Sequence, residues 1–200
     1  MRGLLNIDTA YFPSDNYMEF PDLVPVRDMV HDVKWFSFPK RSSVSVYGSS
    51  GLHFYCQDFT FDALWNQPTK YIDVLKQFRY VIQPDFSLYY NFPKALQIFN
   101  KYRNHWLARY LGFYGVNIIP NVNVSTPDCW DWSFLGYPKR SVVSFSDIGS
   151  FQNNADRAVL CSAFDEMLIR LEPIQILYFS RNPNNVPDGC VPIIIDYDVK

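Results

Sequence analysis

Two carboxylates, an amide and a guanidinium stand out first. Asp58 and Asp85 each follow a run of apolar residues, and Ser87 comes just after Asp85. Asn100 and Arg103 lie three apart in a segment with helical periodicity, so they share nearly one helix face. Paired carboxylates suit two kinds of chemistry. General acid/base work needs one partner with a raised pKa, and divalent-cation binding needs a cluster of oxygens. Arg103 interrupts an otherwise apolar stripe, and a buried guanidinium requires an anionic partner. Asp85 is the obvious candidate. A structural ion pair is the plainer reading. The same pair could instead orient a catalytic carboxylate, or an unfilled guanidinium fork could receive a phosphate.

More polar groups follow other apolar runs. Asn121 and Asn123 come after one, Ser144, Ser146, Asp147 and Gly149 close another, and Ser180 and Arg181 end a third. In parallel α/β folds, ligands meet the carboxyl ends of strands. If these runs are parallel strands, all of these groups gather on one rim. Asp, Asn and Ser are also ordinary caps and turn formers, and at any single position that is the simpler account. The Cys129-Trp130-Asp131-Trp132 loop is a separate signal. Trp130 and Trp132 are either a stacking platform for a base or ring, or a lid on the core; the two readings are even.

The elements that must position these groups follow from periodicity. VKWFSFPK (33–40) alternates like a strand, and VSVY (44–47) reads as another. LHFYCQ (52–57), RYVIQP (79–84), VNIIPNV (116–122), SVVSFSD (141–147), IQILYFS (174–180) and VPIIIDYDV (191–199) read as buried strands. Between them lie helical stripes. Residues 61–78 carry one, broken at Pro68. A second opens at Pro93 and stops at Gly112 and Gly115. A third runs through Leu160, Cys161, Phe164, Met167, Leu168 and Leu171, with Asp156 as a candidate cap and Pro173 beyond its end. Strand and helix in alternation predict an α/β fold with a mainly parallel sheet and right-handed crossover helices. Only five or six strands stand in that alternation, too few for an eight-stranded closure, so the expected form is an incomplete (β/α) barrel or an open curved sheet. Residues 1–50 are expected to form an N-terminal arm with short strands, packed on an α/β domain over 51–200, as one domain overall.

Composition narrows the function classes. The chain has 200 residues, 48% of them hydrophobic, enough for a sizeable core. Its formal net charge of −2 supplies no general attraction for nucleic acid. Lys94, Lys101, Arg103 and Arg109 on one helix, with Lys139-Arg140, are the candidate basic patch, and a solvated helix face is the plainer account. The four cysteines include no CxxC pair, and the three histidines share no ligand spacing with them. No metal site is expected, and the pattern suits a reducing compartment. Cys56 and Cys161 read as buried, Cys129 and Cys190 as exposable. No stretch resembles a signal peptide or a membrane span, so a cytoplasmic protein without a membrane partner is expected. Dinucleotide, P-loop, nucleophile-elbow and zincin signatures are absent, and no cofactor is nominated.

The stretches HFYCQDFTFDALWNQPTKYIDVL, VIQPDFSLYYNFPKALQIFNKYRNHW, VNIIPNV and FLGYPKRSVVSFSDIGS resemble a domain-of-unknown-function family of bacteriophage, plasmid and integrative-element proteins. The resemblance spans roughly residues 50–180, and PDFSLY followed by NxYRxxW is its most specific part. It implies a mobile-element setting in a bacterial host cell and brings no reaction, cofactor or catalytic residue. Relatives often carry an acidic pair where Gln57-Asp58 stands here, which leaves a metal reading one acid short. Ser144, Ser146 and Gly149 match the family's small-residue pattern.

The leading expectation is a small α/β enzyme acting on a nucleotide or nucleic acid. Asp85 is its acid/base group, Arg103 holds it or an anionic ligand, Asn100 and the Ser144/Ser146 loop position substrate, and Asp58 is a further catalytic candidate. Ser87, Asn121, Ser144, Ser146, Gly149, Trp130 and Trp132 are the candidate ligand contacts. The alternatives are a non-catalytic nucleic-acid-binding replication accessory, using Lys94, Lys101, Arg109, Lys139 and Arg140, and a protein-interaction factor modulating a host or rival system, with a host or phage protein as its partner.

Overall fold

The computed structural model describes residues 6, 8–149 and 154–195. Seven strands succeed one another: β1 (Lys34–Ser37), β2 (Ser50–His53), β3 (Tyr80–Ile82), β4 (Ile118–Ile119), β5 (Val142–Ser146), β6 (Gln175–Ser180) and β7 (Val191–Ile194). Every pairing is parallel, and spatial order follows chain order. β1–β4 form one sheet and β5–β7 a second. A parallel bridge between Asn121 and Ser144 joins them, with Val122 N donating to Ser144 O at 2.9 Å and Ser144 N to Pro120 O at 2.8 Å. The result is a curved parallel arrangement that does not close: β1 and β7 remain its two edges.

The curvature is visible in side chains that meet across the concave side. The Trp35 ring of β1 packs edge-on against Phe179 of β6, with centroids 5.3 Å apart. Ile82, Ile119, Val142, Leu177 and Phe179 fill the space between. Such an interior is a packed core, as in complete barrels.

Five helices occupy the convex side and the loops: α1 (Asp62–Asn66), α2 (Ile72–Leu75), α3 (Lys94–Phe113), α4 (Trp130–Ser133) and α5 (Asn154–Leu171). Pro68 opens a 3-10 turn over Pro68–Tyr71 and splits the 61–78 stripe into α1 and α2, because proline lacks the N–H an uninterrupted helix needs there. α3 ends where Gly115 turns to φ +90. Val116 N then reaches Leu111 O and Gly115 N reaches Gly112 O, each at 3.0 Å, a Schellman closure that favours glycine.

The expected strand at 44–47 does not form. Those residues lead into a 3-10 turn at Tyr47–Ser49, and β2 begins at Ser50 instead. Two-sided burial decides this: all four β2 residues are buried, whereas Val46 is 61% exposed. β4 is shorter than its apolar run, because Pro120 follows it with no N–H to give a ladder. Residues 196–199, the end of the last expected strand, lie outside the described residues.

The segment before β1 runs along the base of the domain. Trp106 Nε1 donates to Ala10 O at 2.9 Å, and His105 Nδ1 to Pro21 O at 3.0 Å. Further on, Val142 N donates to Val26 O at 2.8 Å, and the Gln175 amide exchanges hydrogen bonds with the Val30 backbone at 2.7 and 3.0 Å. These contacts cover the amino ends of β5 and β6 and leave the carboxyl ends as the open face.

Candidate functional site

Asp85 stands three residues past β3, in an extended loop that side chains rather than a backbone ladder hold in place. α3 supplies them. Asn100 Nδ2 donates to Ser87 O at 2.7 Å, Asn104 bonds both polar atoms of the Phe86 peptide, and Gln97 Nε2 donates to Phe92 O at 2.9 Å. From the other side, the Asp58 carboxylate accepts from Ser87 N at 3.0 Å and from Ser87 Oγ at 2.9 Å. The amino half of α3 therefore buries a polar face, satisfied by the loop it holds.

Asp85 Oδ1 accepts from the side-chain amides of Asn121, at 2.8 Å, and Asn123. Asn121 Oδ1 in turn accepts from the Tyr55 hydroxyl at 2.8 Å. Behind them lies Lys101, fully buried, whose ammonium donates to Asn123 O at 3.0 Å and to the Tyr137 hydroxyl at 2.7 Å. The same hydroxyl accepts from Asn123 N and donates to Asn121 O. Tyr137 thus locks the backbone of the two asparagines that hold Asp85.

Burial and the nearby Asp58 charge push the Asp85 carboxyl up to about 7; the Asn123 and Asn121 amides and Lys101 pull the other way without cancelling the effect. Burial also holds Lys101 well below the usual lysine range. No hydrogen bond from the described residues occupies Asp85 Oδ2, so that oxygen is free for a ligand.

Asp85 lies in a cleft of about 330 Å³ at the carboxyl ends of β2–β5. Ser87, Asn121, Ser146 and Gly149 line it too, so five of the residues nominated from sequence share one site. Asn100, Arg103 and Asp58 do not reach the cleft; they sit behind the loop and hold it. Ser144 is fully buried, with its hydroxyl on Pro120 O at 3.3 Å.

Arg103 does not pair with Asp85. Its guanidinium donates to Asn100 Oδ1 at 2.6 Å, approaches Asp62 at 3.5 Å and lies 3.6 Å from the centre of the Phe86 ring. α1 brings Asp62 to the outer face of α3, whereas Asp85 lies on the far side of the Phe86 peptide. Trp132 is 3% exposed and packs near Phe20; Trp130 is half-buried against Phe134. Neither lines the cleft. The exposed aromatics at its mouth are Tyr89 and Tyr90, 52% and 71% exposed. Tyr55 and these two tyrosines escaped the sequence reading because nothing in an apolar run marks which rings face a cleft. Asp156, inside the first turn of α5, also lines it.

The basic residues do not form one face. Lys101 is buried, contrary to the solvated face expected of it. Arg140 pairs with Glu172 at 3.0 Å near the amino end of β5, while Lys94 begins α3 at the opposite end of the sheet. Cys129 is buried and Cys161 exposed, the reverse of expectation. Among the described residues, no three His, Cys, Asp or Glu side chains come together as metal ligands. No helix among them is long and apolar enough to cross a membrane.

Fold and site define an open, singly wound parallel α/β protein with a carboxylate-bearing cleft at its strand ends. The chain belongs to the family described as Domain of unknown function (DUF4417), whose match covers residues 12–198. It is similar to the Gene 1 protein of Mycobacterium phage L5, 31% identical over 194 residues, or 97% of this chain and 84% of that protein. It is also similar to the Gene 1 protein of Mycobacterium phage D29, 28% identical over 170 residues, or 85% of this chain and 63% of that protein. No solved structure matches the chain.

Proposed function

We propose that the protein is a small acid/base enzyme acting on a nucleotide or nucleic-acid component, with Asp85 as the proton-transferring group. One observation carries this reading. A carboxyl pushed up to about 7 stands in a cleft, one oxygen held by two amides and the other without a hydrogen bond from the described residues. A general acid or base works best when its pKa lies near the working pH, and strongly shifted groups in clefts mark candidate sites. Asn121 and Asn123 would fix the carboxyl's orientation. Tyr137 and Lys101 would hold the asparagines. Asp58, Asn100, Asn104 and Arg103 would position the loop. The phage relatives support a role in phage biology, and the cytoplasm of the bacterial host is the compartment we take for it. We also take the chain as one domain, with residues 1–50 as its arm.

The test is turnover. The protein would be incubated with nucleosides, nucleotides and short oligonucleotides, and products read by mass spectrometry. Asp85→Asn should lower turnover of any converted substrate by about 100-fold or more while the protein stays folded. Equal rates for the two proteins, or no conversion of any of them, would count against the reading.

A further inference from the structure

The charges around the cleft say what kind of ligand it suits. Its described lining contains two carboxylates, Asp85 and Asp156, and no Lys, Arg or His. Lys101, which stands behind the asparagines that hold Asp85, is fully buried with its donors turned to Asn123 O and the Tyr137 hydroxyl. Phosphate sites are built from guanidinium forks, ammonium groups or converging backbone N–H groups. Here a phosphate would meet carboxylates instead.

What the cleft does offer suits a flat ring. Tyr89 and Tyr90 stand exposed at the mouth, and Phe92 braces Tyr89 edge-on at 5.0 Å. Exposed aromatic faces stack bases with little regard to sequence. At the floor, no described residue hydrogen-bonds Asp85 Oδ2. Because Oδ1 is taken by the two amides, Oδ2 offers the ligand one contact, as a donor when the carboxyl is protonated and as an acceptor when it is ionised, and either matches a single group on the edge of a nucleobase. The volume of about 330 Å³ lies at the small end of small-molecule sites, which suits one base with its sugar rather than a polymer.

We infer that the cleft takes a nucleobase or nucleoside without its phosphate, stacked on Tyr89 and Tyr90 with the base edge on Asp85. This rests on the acid/base reading of Asp85 and narrows the substrate class within it. The adjoining smaller cavity shares Ile148 and Gly149 and is lined by Asp147, Arg181, Asn182 and Asn185 as well.

Calorimetric titration of the full chain at low salt decides it. The probes are adenosine, guanosine, cytidine and thymidine, each paired with its 5′-monophosphate. At least one nucleoside should bind, with its monophosphate at least tenfold weaker. Replacing Tyr89 and Tyr90 together by Ala should weaken that nucleoside at least fivefold without lowering Tm. Absence of binding by all four nucleosides, or a monophosphate that binds as well as its nucleoside, overturns the inference. A carboxyl NMR titration of Asp85 on the same sample separates the two readings. Titration near 7 with no nucleoside bound sinks the ligand class alone. Titration near 4 removes the acid/base role, whichever way the calorimetry falls.

Discussion

Asn104 and Phe86 form a reciprocal pair: Asn104 Oδ1 accepts from Phe86 N at 2.8 Å, and Asn104 Nδ2 donates to Phe86 O at 3.0 Å. A side-chain amide here replaces a neighbouring strand as partner for a buried peptide. The peptide belongs to the loop that carries Asp85. The same helix stacks Arg103 on the Phe86 ring and holds Ser87 through Asn100. The PDFSLY segment and the NxYRxxW segment are thus two halves of one joint.

Asn104→Ala should therefore cost more than an ordinary surface change. It leaves the buried Phe86 N–H without its partner and the Phe86 C=O with only the longer bond from Asn123 Nδ2 at 3.3 Å, a loss of about 1–3 kcal/mol. Urea denaturation measures it. A loss below about 0.5 kcal/mol would show that water or a backbone shift replaces the amide.

Asp85→Asn is expected to stabilise the protein at alkaline pH. The unfolded carboxyl releases its proton near 3.9, and the folded one at about 7. Between these values the native state holds a proton that the unfolded state lacks, so stability falls as pH rises, and the whole deficit is present above 7. Asparagine has no such deficit. The variant should gain about 1–3 kcal/mol at pH 8, with the gain shrinking toward pH 4. Thermal melts of both proteins across this range test it, and a variant less stable at pH 8 contradicts the burial argument.

Asn123→Ala should move the Asp85 titration upward. The Asn123 amide donates to Asp85 Oδ1 and favours the charged form, so its loss makes ionisation harder. Carboxyl NMR would report this directly. A downward move would mean that water entering the cleft outweighs the lost bond.

His53 makes the opposite pH contribution. It is 4% exposed between Tyr55 and Phe179, and burial lowers its pKa to about 3. Below the ordinary value near 6.5 the unfolded chain gains a proton that the native ring refuses, so stability is lost as pH falls from about 6.5 toward 3. His53→Leu should flatten that acid limb relative to the wild type. Urea midpoints at pH 7 and pH 4 provide the comparison, and an unchanged difference between them would argue that the ring is hydrated.

Two aromatic substitutions should separate core from cleft. Trp132→Ala empties a buried site and should cost about 3–5 kcal/mol. Tyr90→Ala removes a ring that is 71% exposed and should change stability by less than about 0.5 kcal/mol. Equilibrium unfolding of both variants checks the contrast; similar losses would mean the Tyr90 loop packs more tightly than its exposure implies.

Alternation of apolar runs and helical stripes determined the parallel order, and with it the convergence of Asp85, Asn121 and Ser146. Parallel strands send all their carboxyl ends one way, so position along the chain is enough to assign those residues to one rim. Rotation of each helix about its own axis was not written in the pattern. The α5 stripe is wider than the face it buries, so Met167 is fully covered while Cys161 and Leu168 are exposed. The polar side of α3 looked like a solvent face, yet it turns inward because the loop after β3 supplies partners for Asn100 and Asn104, and Asn123 O and the Tyr137 hydroxyl supply them for Lys101. Arg103 met Asp62 rather than Asp85 for a similar reason: charge calls for a partner, but only the placement of α1 decides which one is within reach. Tertiary packing also set the Asp85 carboxyl at about 7, since desolvation depends on the neighbours the folded chain assembles and not on the residues beside Asp85 in sequence.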